Sequence, residues 1–332
     1  MKPLISVVVP TFNRRALLAR TLPEVIRQAR RAPDVEVVVV VDGSRDGTAE
    51  MLHAWGEARL LRIVAQENRG LAAARNKGAE VASAATILFL DDDMIPASGL
   101  LEAHRVAHAD GAERVAYGAL ALAAGVRRSF LKVGVELWGK RMQRRLSEPG
   151  HRFRYDDCHF GHASISRDLL LRAGGFDESF IRFGNEDYDL GSRLIEMGAE
   201  MSFLPQAVAS QIYDKSLRRW LRDCCCVGMA DLALARKHPL LTENLRFATS
   251  PGHPLRRLAR LSGLAPLDPL APAWSLAEAG LSALERVGAR GTFLGKAQSL
   301  LGERRYWQGF RLAGGRPPGS LARENKRQGR LA

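Results

Sequence analysis

The 332-residue chain is defined first by what it lacks. No Gly-x-Gly-x-x-Gly follows its first apolar run, and no glycine-rich loop ends in Gly-Lys-Ser or Gly-Lys-Thr. The ordinary dinucleotide and P-loop cradles for phosphate are therefore excluded. Its four cysteines, Cys158 and the run Cys224-Cys225-Cys226, have no framework spacing. Adjacent cysteines do not readily pair, so a reducing compartment is expected rather than a disulfide scaffold. No uninterrupted apolar stretch reaches the roughly 18 residues of a membrane span. The first residues enter a strand-like run at once, with no charged and apolar regions of a leader. The expectation is a cytoplasmic protein, soluble or peripheral at the inner face of the membrane.

What is present is a sizeable apolar content, 46%, and a net charge of +13 that is unevenly placed. Residues 236–332 hold 17 Lys or Arg against 6 Asp or Glu, and residues 127–154 hold 9 against 2, so the rest of the chain is net acidic. Basic faces of this kind are commonly just solvated, with anionic headgroups or nucleic acid as sharper partners. No nucleic-acid motif is present and few aromatics interleave with the basic residues, which argues against a nucleic-acid partner.

The acidic part is organised around Thr86-Ile87-Leu88-Phe89-Leu90 running into Asp91-Asp92-Asp93. Five uncharged, mostly apolar residues read as a buried strand, and three consecutive carboxylates at its end repel one another without a counter-charge. A divalent cation with hard oxygen ligands, Mg²⁺ or Mn²⁺, fits that need, and a plain helix cap is the alternative for Asp residues here. Upstream, Leu4 to Val9, Val35 to Val41 and Leu60 to Ala65 read as strands, each followed by a helical stretch. The alternation predicts a Rossmann-like α/β fold with a mostly parallel sheet and a site outside the strands' carboxyl ends. Thr11 and Asn13 follow the first strand, Asp42 the second, Asn68 and Arg75 the third. With no glycine cradle, a bound phosphate must be held through the metal, which points to a nucleoside diphosphate.

Val115 to Leu122 reads as a further strand, and residues 127–154 as a basic, helix-compatible connector broken at Ser147-Glu148-Pro149-Gly150. Further on, Gly184-Asn185-Glu186-Asp187-Tyr188-Asp189 opens a helix with three acids in its first turns. The helix dipole alone would favour them. Asp187 is also a candidate general base toward a hydroxyl nucleophile.

Six motifs in order make the sequence resemble the nucleotide-sugar-dependent glycosyltransferases of family 2, with a GT-A type of fold. They are Val9-Pro10-Thr11-Phe12-Asn13-Arg14, Asp42-Gly43-Ser44-Arg45-Asp46-Gly47-Thr48, Asn68-Arg69-Gly70 with Ala74-Arg75-Asn76-Lys77-Gly78, Leu90-Asp91-Asp92-Asp93, Gly174-Gly175-Phe176-Asp177-Glu178 and Glu186-Asp187. The resemblance implies that Thr11 and Asp42 contact base and ribose and that Arg75 lies near the nucleotide. Pro10, Asn13, Ser44 and Asp92 fall in the same nucleotide-sugar set. Asp91 and Asp93 match an Asp-x-Asp metal pair for Mn²⁺ or Mg²⁺, and Asp187 matches the base of inverting members, with Glu186 beside it. The implied reaction moves a sugar from a nucleotide-diphosphate donor, UDP by family habit, to a hydroxyl of a glycan or lipid-linked acceptor in cell-surface polysaccharide synthesis. Two positions depart from the pattern. Val41 stands where many members have an acid, and Val208-Ala209-Ser210-Gln211-Ile212-Tyr213 lacks a His that many members carry. These departures motivate an alternative, a catalytically weak nucleotide-sugar-binding scaffold of the same fold.

The expected organisation is a catalytic domain over 1–238, with a nucleotide-sugar half to 115 and an acceptor half from 116. A basic helical extension over 239–313 and a disordered tail over 314–332 would follow. Basic amphipathic segments in the extension suggest a peripheral contact with anionic membrane. The triple cysteine falls in an amphipathic helix over 216–237 and reads as packing, because no ligand partner stands at metal spacing.

Overall fold

The computed structural model describes residues 4–32, 34–55, 61–125, 128–180, 184–248 and 253–315. All of the expected tail beyond Gly315 lies outside the described residues. Contacts divide the chain into two compact units. The first comprises residues 1–126, 136–181 and 186–213, and the second residues 127–135, 182–185 and 214–332.

The first unit is a sheet with helices. In chain order it runs β1 (Ile5–Thr11), α1 (Arg15–Ala29), β2 (Val35–Asp42), α2 (Thr48–Ala54), β3 (Leu61–Gln66), α3 (Leu71–Val81), β4 (Thr86–Leu90), β5 (Met94–Pro96), α4 (Leu100–Ala107) and β6 (Arg114–Leu122). Then come α5 (Phe130–Leu146), whose first residues belong to the second unit, β7 (His162–Ser166), α6 (Arg167–Arg172), α7 (Glu186–Glu196) and β8 (Glu200–Gln211). Among the described residues, eight strands form one sheet in the order β3-β2-β1-β4-β7-β6-β8-β5. β1 to β4 are parallel, as their apolar runs and intervening helices predict. β7 reverses the direction, pairing antiparallel with both β4 and β6, and β8 returns parallel to β6.

Because the central strands are covered on both faces, Val7, Val37, Val39 and Leu88 pack toward Leu18, Leu22 and Val25 of α1. Val8, Val38, Val40, Ile87 and Phe89 pack with Ala72 and Ala74 of α3 and with Phe160 and Phe176. Each such aliphatic side chain taken from water contributes about 1.5–3 kcal/mol. α3 reaches the sheet closely because Gly78 has no Cβ: one placed there would lie 2.2 Å from Val8 Cγ1. That approach brings Arg75, one turn earlier on α3, to the carboxyl ends of the strands.

The second unit is helical: α8 (Leu217–Lys237), α9 (Pro254–Leu264), α10 (Ala271–Arg286) and α11 (Thr292–Leu312). α8 and α11 cross backbone to backbone at two glycines. A Cβ on Gly228 would lie 2.0 Å from the Tyr306 carbonyl oxygen, and one on Gly309 1.8 Å from that of Cys225. Cys224 is buried and Cys225 and Cys226 half-buried in α8, and none of the three is in a disulfide. α9 exposes Leu255, Leu258 and Leu261. Among the described residues, no helix is long and apolar enough to cross a membrane.

Candidate active site

Strand ends and loops of the first unit bring the acidic residues together. The loops after β1 and β2 are stitched to each other. The Asn13 amide donates to Ser44 Oγ (2.9 Å), the Arg45 amide to Asn13 Oδ1 (2.8 Å) and the Arg15 amide to Asp46 Oδ2 (2.8 Å). Asn13 sits at φ 51°, a left-handed conformation that Asn tolerates better than most residues. Asn13 and Ser44, expected at the nucleotide, thus spend side-chain groups on fixing the loops.

Asp42, buried at the end of β2, accepts from Gln66 Nε2 (2.7 Å) and from the amides of Arg69 (2.9 Å) and Gly70 (2.9 Å). It holds the loop that opens α3. Pro10 and Thr11 are buried in β1. Thr11 Oγ donates to Asp92 Oδ2 (2.8 Å), Arg14 Nη1 to Asp92 Oδ1 (2.9 Å) and Thr21 Oγ to the Asp92 carbonyl (2.7 Å). The middle acid of the triplet is therefore anchored, and its neighbours Asp91 and Asp93 take other directions.

Arg75 joins the two groups of acids. Its side chain is only 1% exposed, and its guanidinium meets Asp187 (2.6 Å), Asp91 (3.1 Å) and Glu186 (3.3 Å). Burial opposes the Arg75 charge, but the three carboxylates outweigh it and raise its pKa. Behind it Phe89, Phe160 and Phe176 form an edge-to-face triangle, and Arg75 Cζ lies 5.2 Å from the Phe176 ring centre. Such a surround keeps water out and strengthens each charge contact. Asn76, next on α3, fixes Phe176 by donating to its carbonyl (2.8 Å) and accepting from its amide (2.8 Å).

Asp187 opens α7 with one carboxylate oxygen on Arg75 and the other accepting the Phe160 amide (2.9 Å), while its side chain stays 17% exposed. Glu186 is buried. Burial first, then the Asp187 charge, pushes its pKa up to about 7 against the pull of Arg75. Asp93 behaves alike: burial and the charge of Asp91 push it up to about 7, with Arg14 opposing and Asp92 adding to the rise. Its Oδ2 accepts from Gln211 Nε2 (3.2 Å), while the buried Oδ1 has no hydrogen-bond partner. An unpartnered carboxylate oxygen among acids is a place for a cation, and the donor set is the hard oxygen of Asp91 and Asp93. Among the described residues no group of three or more His, Cys, Asp or Glu is arranged to hold a metal by itself. Asp91 and Asp93 are the carboxylates of this cluster that could face a cation.

Three contributors escape a sequence reading: Arg14 on Asp92, Gln211 on Asp93 and the Phe160 amide on Asp187. Arg14 is adjacent to the flagged Asn13 and could have been found as a counter-charge. Gln211 stands in the stretch where a His is missing.

The family model described as Glycosyl transferase family 2 matches residues 6–170, and one described as the N-terminal domain of galactosyltransferase matches residues 140–215. Validoxylamine A glucosyltransferase of Streptomyces hygroscopicus subsp. jinggangensis is 31% identical over 279 residues, which are 75% of this chain and 64% of that protein. The chain therefore spans somewhat less than two thirds of that relative's length. The mannosyltransferase PcManGT from Pyrobaculum calidifontis, in complex with GDP-Man and Mn²⁺, superposes with a TM-score of 0.56 at 19% identity, covering 93% of this chain and 88% of that one. Residues 1–349 of S. aureus TarS, in complex with UDP-GlcNAc, give a TM-score of 0.52 at 16% identity, over 99% and 92% of the two chains. The chain belongs to glycosyl transferase family 2 and carries the GT-A fold.

Proposed function

We propose that the chain transfers a sugar from a nucleotide-diphosphate donor, a UDP-sugar foremost, to an acceptor hydroxyl with inversion, Asp187 serving as general base. The observation that carries this reading is the setting of Asp187. One oxygen is held by Arg75 and the other by the Phe160 amide, yet the side chain stays 17% exposed. A base so fixed takes the acceptor's proton as the hydroxyl oxygen bonds to the anomeric carbon. The nucleoside diphosphate leaves from the opposite face of that carbon, which inverts its configuration. Glu186 beside it is buried, and burial and then the Asp187 charge push its pKa up to about 7.

Asp91 and Asp93 would hold Mn²⁺ or Mg²⁺, which when bound offsets the charge growing on the departing diphosphate. The relatives named above support a nucleotide-sugar donor, and PcManGT in complex with Mn²⁺ supports a divalent cation. The test is a thermal-shift panel of UDP, GDP, dTDP and CMP, each with Mn²⁺, Mg²⁺ or EDTA, because a ligand of the folded state raises the melting temperature by mass action. One nucleotide stabilising only with cation is the expected result. No shift with any nucleotide would contradict a nucleotide-sugar pocket, whereas binding without turnover would favour the scaffold alternative.

A further inference from the structure

Beside the base runs a row of rings that the donor chemistry does not use. Trp138 on α5 and His159 have ring centres 5.2 Å apart with planes at 86°. His159 and Tyr188 follow at 5.5 Å and 69°, and Tyr188 and Tyr155 at 5.6 Å and 83°. The row grades from solvent inward: Trp138 is 40% exposed, whereas Tyr155 is buried. Its two middle rings border the base in the chain. Tyr188 follows Asp187, and His159 precedes Phe160, whose amide binds the Asp187 carboxylate.

We propose that Trp138, backed by His159 and Tyr188, is the acceptor subsite, and that it takes a saturated six-membered sugar ring lying with its C–H face on the indole while a hydroxyl of that ring or its neighbour points to Asp187. The proposal rests on the reading of Asp187 as base.

Trp138 is exposed, whereas the other tryptophans of this chain are buried or half-buried. A perpendicular neighbour such as His159 covers at most one indole face. The partner of such a base must carry a hydroxyl, and the partner of an indole must carry a flat apolar face. A pyranose has both, with polar groups around its rim and axial C–H groups on a face. His159 adds a polar point to the ledge: its Nε2 is buried without a hydrogen-bond partner. Burial also lowers its pKa and so favours the neutral imidazole.

The test is saturation-transfer difference NMR on the full chain with methyl β-D-glucopyranoside, methyl β-D-galactopyranoside and methyl α-D-mannopyranoside, alone and with UDP and Mg²⁺. These probes carry no aromatic or long apolar aglycone, so any transfer reports the sugar ring. At least one glycoside should show saturation concentrated on the C–H groups of one ring face. Its affinity should fall about tenfold in Trp138→Ala and largely survive in Trp138→Phe, as loss and retention of a stacking ring predict. Phe as the second replacement guards against a general folding defect. No transfer to any glycoside in the wild type, or equal transfer in Trp138→Ala, would overturn the proposal. Asp187→Asn separates the two readings: it should keep the saturation pattern and lose turnover. A variant that keeps both would remove the base and leave the ledge standing.

Discussion

Two acidic clusters share one guanidinium, and their difference explains how similar groups could divide the work. In each, one acid is partly open and bonded to Arg75: Asp91 at 32% exposed in the triplet, Asp187 at 17% in the α7 pair. In each, a buried neighbour, Asp93 or Glu186, is pushed up to about 7. They diverge in what completes them. The triplet keeps an unpartnered buried oxygen on Asp93 and a second guanidinium, Arg14, anchoring Asp92. The pair has instead a backbone amide, from Phe160, fixing the open acid. An acid cluster with a vacant oxygen suits a cation, and an acid oriented by an amide suits proton transfer.

Arg75→Met breaks the comparison outright, since it strips both clusters of their shared counter-charge. Leaving buried charges unpaired costs about 3–5 kcal/mol, so this variant should show the largest drop in melting temperature. Arg14→Met, which removes a side chain that is 16% exposed, should cost less. Equal losses in calorimetry would mean that Arg75 is not the common hinge of charge.

A smaller effect sharpens the comparison by pH. Asp93 and Glu186 have folded pKa values raised above their unfolded ones, so their contribution to stability is full below the unfolded value. It is lost as pH rises through about 7. His104, His108 and His162, all lowered by burial, work in the opposite sense, their contribution being lost as pH falls. The measurement is therefore differential. In EDTA, the melting temperatures of Asp93→Asn and Glu186→Gln should both gain on the wild type between pH 6 and pH 8. With Mn²⁺ the gain of Asp93→Asn should reverse, because the wild type then binds a cation that the variant loses, while that of Glu186→Gln persists. A cation that leaves both differences unchanged would exclude the triplet as its site.

The parallel half of the sheet was legible because each strand is a continuous apolar run closed by turn residues, as in Val35 to Asp42. β7 was not, since His162-Ala163-Ser164-Ile165-Ser166 is mostly small or polar and becomes a strand only between β4 and β6. β8 carries Pro205 and pairs with β6 across a register shift at Gly118/Ala119, which blurs its pattern too. The acids of the site stood out as clusters. Their common partner did not, because Arg75 reaches across 16, 111 and 112 residues of chain to Asp91, Glu186 and Asp187. Only packing over Gly78 shows that this helical arginine is buried. Likewise Asn13 and Ser44 tie the loops after β1 and β2 to each other and Asp42 holds the loop that opens α3, uses that composition does not distinguish from ligand contact.

The most direct test of the central claim is the turnover of Asp187→Asn with the nucleotide-sugar that the thermal-shift panel selects. The amide keeps the size and one acceptor oxygen but cannot take the acceptor's proton. The expected rate is lower by about 10²–10⁴-fold, with nucleotide and cation binding unchanged. Turnover within a few-fold of the wild type would contradict it.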